Sequence, residues 1–246
     1  MEVCAGWANL LQTGMPQDLD ILHIAAVTFL VVAWATYSPL LTRFARGTLN
    51  SKLSTVRKRW IDLSMRRENR TFDAVMLGHI INSVSFFGSA TLIVLAGVVG
   101  VFANAGHVHE LVSSLPFTSP MSLELFALKI MVVGLLLTIS FFSFTYALRK
   151  FVYTVSLLGG LPEPEDNHPH QAELIAAAAT VLSEAVRSFN SGIRGYYYSV
   201  AALFLFISPV SSMAATGLVM IMLFYRQTST RTARTIETYV DALKRD

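Results

Sequence analysis

His79, Asn82, Ser83, Phe86 and Ser89 recur every three or four residues inside an otherwise apolar run. On a helix that spacing places them on one face. An imidazole, an amide and two hydroxyls cost free energy in hydrocarbon unless each finds a partner. Two chemistries follow. Either the stripe lines a wet path in which His79 titrates, or it supplies hydrogen bonds between helices that meet through small residues. Lys129 is the one basic residue within an apolar run, about two turns into it and after Glu124. Its ammonium either snorkels to the interface or faces a buried acceptor or an anionic ligand. His107, His109 and Glu110 form a third group, close in topology to Asp18, Asp20, His23 and Glu124. These side chains suit a hard or borderline metal. An H-x-H-E run in a loop does not fix a third or fourth ligand, however, so no metal is expected; the same holds for the later "DNHPH". The chain has no P-loop, dinucleotide fingerprint, nucleophile elbow or HExxH motif. No catalytic residue and no cofactor is therefore expected, and an enzyme is disfavoured.

The elements that must carry these residues are read from hydropathy. The chain is 53% hydrophobic and 14% charged, too apolar for an ordinary soluble domain. Long uncharged runs lie near 21–42, 74–103, 130–148 and 195–225. Crossing about 30 Å of hydrocarbon takes about 20 helical residues, and each run suffices. The fold class is all-α, a polytopic transmembrane helix bundle. A barrel would alternate residue by residue, and "TLIVLAGVVGVF" does not. Cys4 is the only cysteine, which excludes an internal disulfide. The first 17 residues carry no Lys or Arg, so a cleaved signal is not expected and the first span is the targeting element.

Basic residues set the expected orientation, because Lys and Arg stay on the cytoplasmic side. They cluster at Arg43 to Arg70, at Arg149 to Arg194 and from Arg226 onward, and are missing from 1–42 and 71–128. This pattern places the N-terminus outside and the C-terminus in the cytoplasm, provided that 195–225 crosses twice. Ser208-Pro209 lies near its middle, where proline interrupts a helix, and Ser211 and Ser212 can satisfy the turn. Five spans are expected, with four as the alternative. The whole of 1–246 reads as a single transmembrane domain. It has an outer N-terminal segment 1–19, a cytoplasmic basic loop 43–70, a cytoplasmic loop and helix 150–190 and a cytoplasmic tail 227–246. Leu53, Val56, Trp60 and Leu63 alternate with basic residues in the pattern of an amphipathic helix lying on anionic lipid. That reading displaces nucleic acid as a partner. Further amphipathic helices are expected after Ala172 and in the tail, the latter with Ile236, Val240 and Leu243 on one stripe.

Two cytoplasmic helix ends form a candidate junction. Glu68, Asn69, Arg70 and Asp73 open the second span, and Asn190, Gly192, Arg194, Tyr196 and Tyr197 open the fourth. Arg194 is expected to pair with Asp73 or Glu68 through its planar guanidinium, with the tyrosines at headgroup level. Both stretches, "RRENRTFDAVMLGHIINSVSFFGSATLIVLAGVVG" and "SFNSGIRGYYYSVAALFLFISPVSSMAATGLVMIMLFYRQ", together with "YALRKFVYTVSLLGGLPE", resemble domain of unknown function 599. That family comprises multi-pass membrane proteins of bacteria and plants. The resemblance spans roughly 30–235. It implies four or five helices, a proline midway through the last apolar run and no activity to carry over. The expected protein is thus a non-enzymatic, multi-pass protein of the bacterial inner membrane, a homo-oligomer or subunit of a membrane complex. The alternatives are a small-solute transporter or channel using the stripe, and a membrane-embedded metal-binding protein or enzyme.

Overall fold

The computed structural model describes residues 16, 18–44, 49–116, 118–163 and 168–245 of the chain. Cys4, Trp7, Arg46 and most of the N-terminal segment lie outside the described residues. Among those described there is no strand, and eight α-helices follow one another. They are α1 (Ile21–Phe44), α2 (Leu49–Met65), α3 (Thr71–Ala103), α4 (Ala105–Ser113), α5 (Leu123–Gly159), α6 (Gln171–Leu203), α7 (Pro209–Thr228) and α8 (Arg231–Leu243). Four segments are long and apolar enough to cross a membrane: Ile21–Leu41, Thr71–Ala103, Leu123–Gly159 and Pro209–Leu243. At about 1.5 Å per residue, α3 and α5 run to roughly 50 and 55 Å, well beyond the hydrocarbon they have to cross.

The long apolar run 195–225 is not one helix. After Leu203 a short 3₁₀ turn, Phe204–Phe206, leads to Ser208, and α7 starts at Pro209. Proline suits a first helical position, since its missing N–H would have no partner there. The Ser208 N–H donates to Ser211 Oγ and the Ser211 N–H donates to Ser208 Oγ, each at 3.1 Å. Ser211 thus plays the part that Glu or Gln plays in a capping box. Ser212 Oγ donates to the Ala201 carbonyl at 3.1 Å, across eleven residues. In an unbroken helix those residues would stand about 16 Å apart along the axis. The chain therefore doubles back, and α7 returns alongside the end of α6.

The described residues gather into two compact units. One draws on Met1–Tyr37, Thr91–Ser140 and Arg194–Ile221. Its core holds Leu30 and Ala33 of α1, Leu136 and Leu137 of α5, and Ala201 and Ala202 of α6. The other draws on Ser38–Ala90, Phe141–Ile193 and Met222–Asp246. Its core joins Ile61 and Met65 of α2, Leu77 and Val84 of α3, Phe151 of α5 and Leu182 of α6. Alanines at 178, 179 and 185 keep that face of α6 slim. Phe87, Phe144 and Phe189 meet there with ring centroids 5.6–5.7 Å apart. On α2, which is expected to meet lipid through Leu53, Val56, Trp60 and Leu63, the side that enters the core is a different one. Ile61 and Met65 turn into the core with Trp60 beside them, while Leu63 is exposed. Helical neighbours cover that edge of α2, so its buried face is rotated from the one that periodicity picks out. In the same unit α8 packs against α2. It buries Ala233 and Val240, and Lys52 bridges to Glu237 at 2.8 Å.

The reciprocal serine bonds carry a testable consequence. Ser208→Ala should lower stability by about 1 kcal/mol, as loss of an N-cap does, and depress the Tm in detergent. Thr180→Ala, at an exposed position on α6, should stay within about 0.5 kcal/mol. Equal Tm values for Ser208→Ala and the parent would show that these bonds do not hold the turn.

Candidate functional site

The polar stripe of α3 faces outward. His79, Asn82, Ser83, Phe86 and Ser89 are all exposed, and the Ser83 hydroxyl bonds only back to the His79 carbonyl, at 3.0 Å. Leu77, Val84 and Thr91 occupy the buried side of the same helix. Only 6% of the most apolar window of α3 is buried, against 50% for α5. α3 is thus the span that the chain itself covers least, and its polar stripe lies on the uncovered side. Added Cβ atoms at Gly78, Gly97 and Gly100 would meet nothing within 4 Å. These glycines leave the outer surface of α3 open to close approach by another helix.

At the start of α3 the junction residues are bound locally. Asn69 Oδ1 accepts from the Thr71 N–H at 2.9 Å and starts the helix. Arg70 reaches the end of α5, donating to the carbonyls of Leu158, Leu161 and Pro162 at 3.4, 3.2 and 2.8 Å. A cation there meets the negative end of the helix dipole and the carbonyls that no helical N–H satisfies. Asp73 is 3% exposed. Its Oδ1 accepts from Arg67 Nη1 and from Trp60 Nε1, both at 2.6 Å. The guanidinium that Asp73 receives is therefore Arg67's. The turn after α2 delivers Arg67 from six residues away, and this takes the place of the expected pairing with Arg194. Glu68 and Asn190 are exposed.

Arg194 belongs to the other unit, where its guanidinium lies 5.3 Å from the centroid of the Tyr37 ring, within cation–π range. Tyr198 is fully buried, and its hydroxyl donates to the Ala33 carbonyl at 3.3 Å. Tyr196 shares a hydrogen bond with Thr91, which is also fully buried. Tyr197 is half-buried. Gly195 makes this arrangement possible. A Cβ there would come within 3.1 Å of Ser140 Cβ and 3.5 Å of the Leu136 carbonyl. α5 and α6 thus touch nearly backbone to backbone. Gly192 in the neighbouring turn faces the Phe144 ring in the same manner, with a Cβ 2.5 Å from Cε1. The sequence signals both glycines through "NSGIRGYYY". It does not assign contacts to Tyr37, Thr91 or Ser140, each of which has other hydroxyl residues close by in the chain.

The outer candidates do not assemble into a metal site. Among the described residues no three His, Cys, Asp or Glu side chains are placed to hold a metal. His109 Nε2 donates to the Met121 carbonyl at 2.7 Å, and its ring packs edge-on against Phe126. His107 and Glu110 on α4 are exposed. Asp18 instead joins the start of α5. It accepts from the Ser122 N–H at 2.7 Å and from the Ser122 hydroxyl at 2.6 Å. Burial works against its ionised form, yet these two bonds hold its carboxyl below the usual range. Ser122 Oγ in turn accepts from the Leu125 N–H at 3.2 Å, capping α5.

Lys129 lies one turn deeper and is 3% exposed. Its Nζ has Met121 Sδ at 3.7 Å as hydrogen-bonding partner. The side chain runs back toward the start of α5 and stays covered by protein. It lines a cavity of about 170 Å³ between α1 and α5, together with His23, Val27, Leu128 and Val132.

The close approach at Gly195 yields a mutational test. Gly195→Ala should destabilise the protein by about 1–3 kcal/mol, the usual cost of overpacking. Adding Ser140→Ala, which removes the nearest obstructing atom, should restore part of the lost Tm. If the two changes destabilise additively, the backbones are not held in contact at this point.

A model described as "Protein of unknown function, DUF599" matches residues 25–232. No curated protein and no solved structure matches the chain.

Proposed function

Since the chain belongs to the DUF599 family, whose description assigns no activity, we propose from its own geometry that it is a non-enzymatic membrane subunit whose copies join along α3. One observation carries this reading: four polar side chains, His79, Asn82, Ser83 and Ser89, stand on the uncovered face of a membrane-length helix. In lipid His79, Asn82 and Ser89 would lack a partner, and the Ser83 hydroxyl would keep the His79 carbonyl. A second copy supplies one. Imidazole, amide and hydroxyl each donate and accept, so the stripe is complementary to itself about a two-fold axis and meets no like-charge repulsion. The open glycines of α3 favour such close contact. A transport path through His79 has less support, because the imidazole is exposed on the outer surface of α3 instead of turned into the unit that holds it.

The hairpin and the basic clusters support the proposed orientation in a bacterial inner membrane. α8 packs on α2, so the tail and the loop of 43–70 share one side. Both are rich in Arg and Lys, which supports a cytoplasmic side for them and, with the hairpin, a reading of five crossings. Arg59 and Arg66 on α2 are exposed, where they can attract anionic lipid at about 1 kcal/mol each.

Two experiments test these assignments. Ser83→Cys, in a background with Cys4→Ser, should form a disulfide-linked dimer when membranes are oxidised, whereas Tyr239→Cys on α8 should not. A monomeric mass in neutral detergent, together with no dimer from cysteines at 82, 83 or 89, would eliminate the interface. For orientation, an alkaline-phosphatase fusion after Asp246 should be inactive and a cytoplasmic reporter there active. The opposite result would require four spans.

A further inference from the structure

The cleft between α1 and α5 has an unusual composition. Most of its lining is aliphatic, including Val27, Leu128 and Val132, yet it also contains Lys129 and His23. Lys129 is almost wholly buried. An ammonium has three N–H donors and no acceptor. Among the described residues its hydrogen-bonding partner is a thioether at 3.7 Å, a weak acceptor. The carboxylate whose charge acts on Lys129 is Asp18, and both Asp18 oxygens are already engaged by Ser122. His23 Nδ1 is buried as well and has no hydrogen-bond partner. A buried cation without a close counter-ion is expensive. Lys129 and His23 line the same apolar space, each with a buried nitrogen short of an acceptor, so the element that fits is an acceptor with two oxygens at one end of an apolar body.

Depth favours a lipid-like body. His23 lies about 3 Å past the start of α1 and Lys129 about 9 Å past the start of α5, by helix rise. That is the level where an acidic headgroup meets the acyl region. The cavity volume is close to the 150 Å³ of apolar void that accepts benzene. It can house the head and the first few carbons but not a whole chain. Ile24 and Thr28 border the cleft and are exposed, so a longer tail can leave sideways.

We propose that this cleft binds an amphiphile carrying one anionic group on an alkyl chain, with the acidic head at Lys129 Nζ and His23 Nδ1 and the chain along Val27, Leu128 and Val132. The site is independent of the α3 stripe and of any pairing between copies. The same chemistry is offered by the carboxylate of a free fatty acid and by the phosphate of an anionic phospholipid.

The test uses the full chain, delipidated in a neutral maltoside detergent, and native mass spectrometry. Oleate is compared with oleyl alcohol, and phosphatidylglycerol with phosphatidylcholine. One ligand per chain is expected, with the anionic member of at least one pair bound tenfold or more tightly than its neutral counterpart. Preference confined to oleate assigns the head as carboxylate, and preference confined to phosphatidylglycerol assigns it as phosphate. Lys129→Met should erase the charge preference. Val132→Trp, which fills the cleft and leaves the charge, should weaken binding of both members. The parent comparison and Val132→Trp keep the test decisive if Lys129→Met is unstable. Equal binding of charged and neutral lipids by the parent, or unchanged binding in Val132→Trp, would overturn the proposal.

Discussion

Proline has no N–H with which to continue a helix, and at position 209 it stands where the last apolar run turns back. Much else depends on that return. It lets Ser212 reach Ala201, and it leads the chain from Arg194–Ile221 back into the unit that holds Phe141–Ile193. It also makes the tail available to α2, where Lys52 and Glu237 meet at 2.8 Å. Without a break, α8 would lie a helix length away from the basic helix it packs on. Two serine side chains bonded to each other's backbone hold the turn and satisfy two N–H groups where the helix stops.

A second constraint is the treatment of polar atoms in an apolar chain. Some buried hydroxyls are absorbed locally. Ser140 bonds to Leu136, and Thr154 to Lys150, each four residues back. Such bonds need no partner helix. Thr91 and Tyr196 make theirs across 105 residues, which ties α3 to α6 within one unit. The groups that escape both solutions stand out: the exposed face of α3, and the cation and imidazole beside the cleft. Buried oxygens of Asp73, Thr216 and Gln227 likewise lack a partner among the described residues, but the α3 face and the cleft are places open to a second protein surface and to a ligand.

The sequence states the class of the fold plainly, because uncharged runs and blocks of arginine reflect the bilayer rather than any particular tertiary contact. The break at Ser208-Pro209 and the part played by Ser211 and Ser212 are legible for the same reason: proline and capping chemistry act over four residues. The amphipathic face of α2 is legible only as a period. Which edge of it is buried depends on α3, α5 and α6, and Ile61 and Met65 take the place that the period gives to Leu63. Arg194 and Asp73 look like natural partners at the level of charge. A nearer guanidinium, Arg67, reaches the carboxylate first, and a local turn of that kind is invisible to charge counting. His23 and Lys129 are 106 residues apart in the chain, and nothing in either neighbourhood announces that the two share a cavity.

The bond between Asp18 and Ser122 spans 104 residues. A ribosome adding about 5–20 residues per second needs roughly 5–20 s to cover that distance. During that interval α1 and α3 have emerged, but the group that anchors the beginning of α1 has not been made. The first helix therefore enters the bilayer with one end untethered, free to tilt and rotate until α5 arrives with Ser122 at its head. The final seating of the earliest helix is a late event in biogenesis, and a defect at residue 122 would surface as misplacement of a segment synthesised long before it.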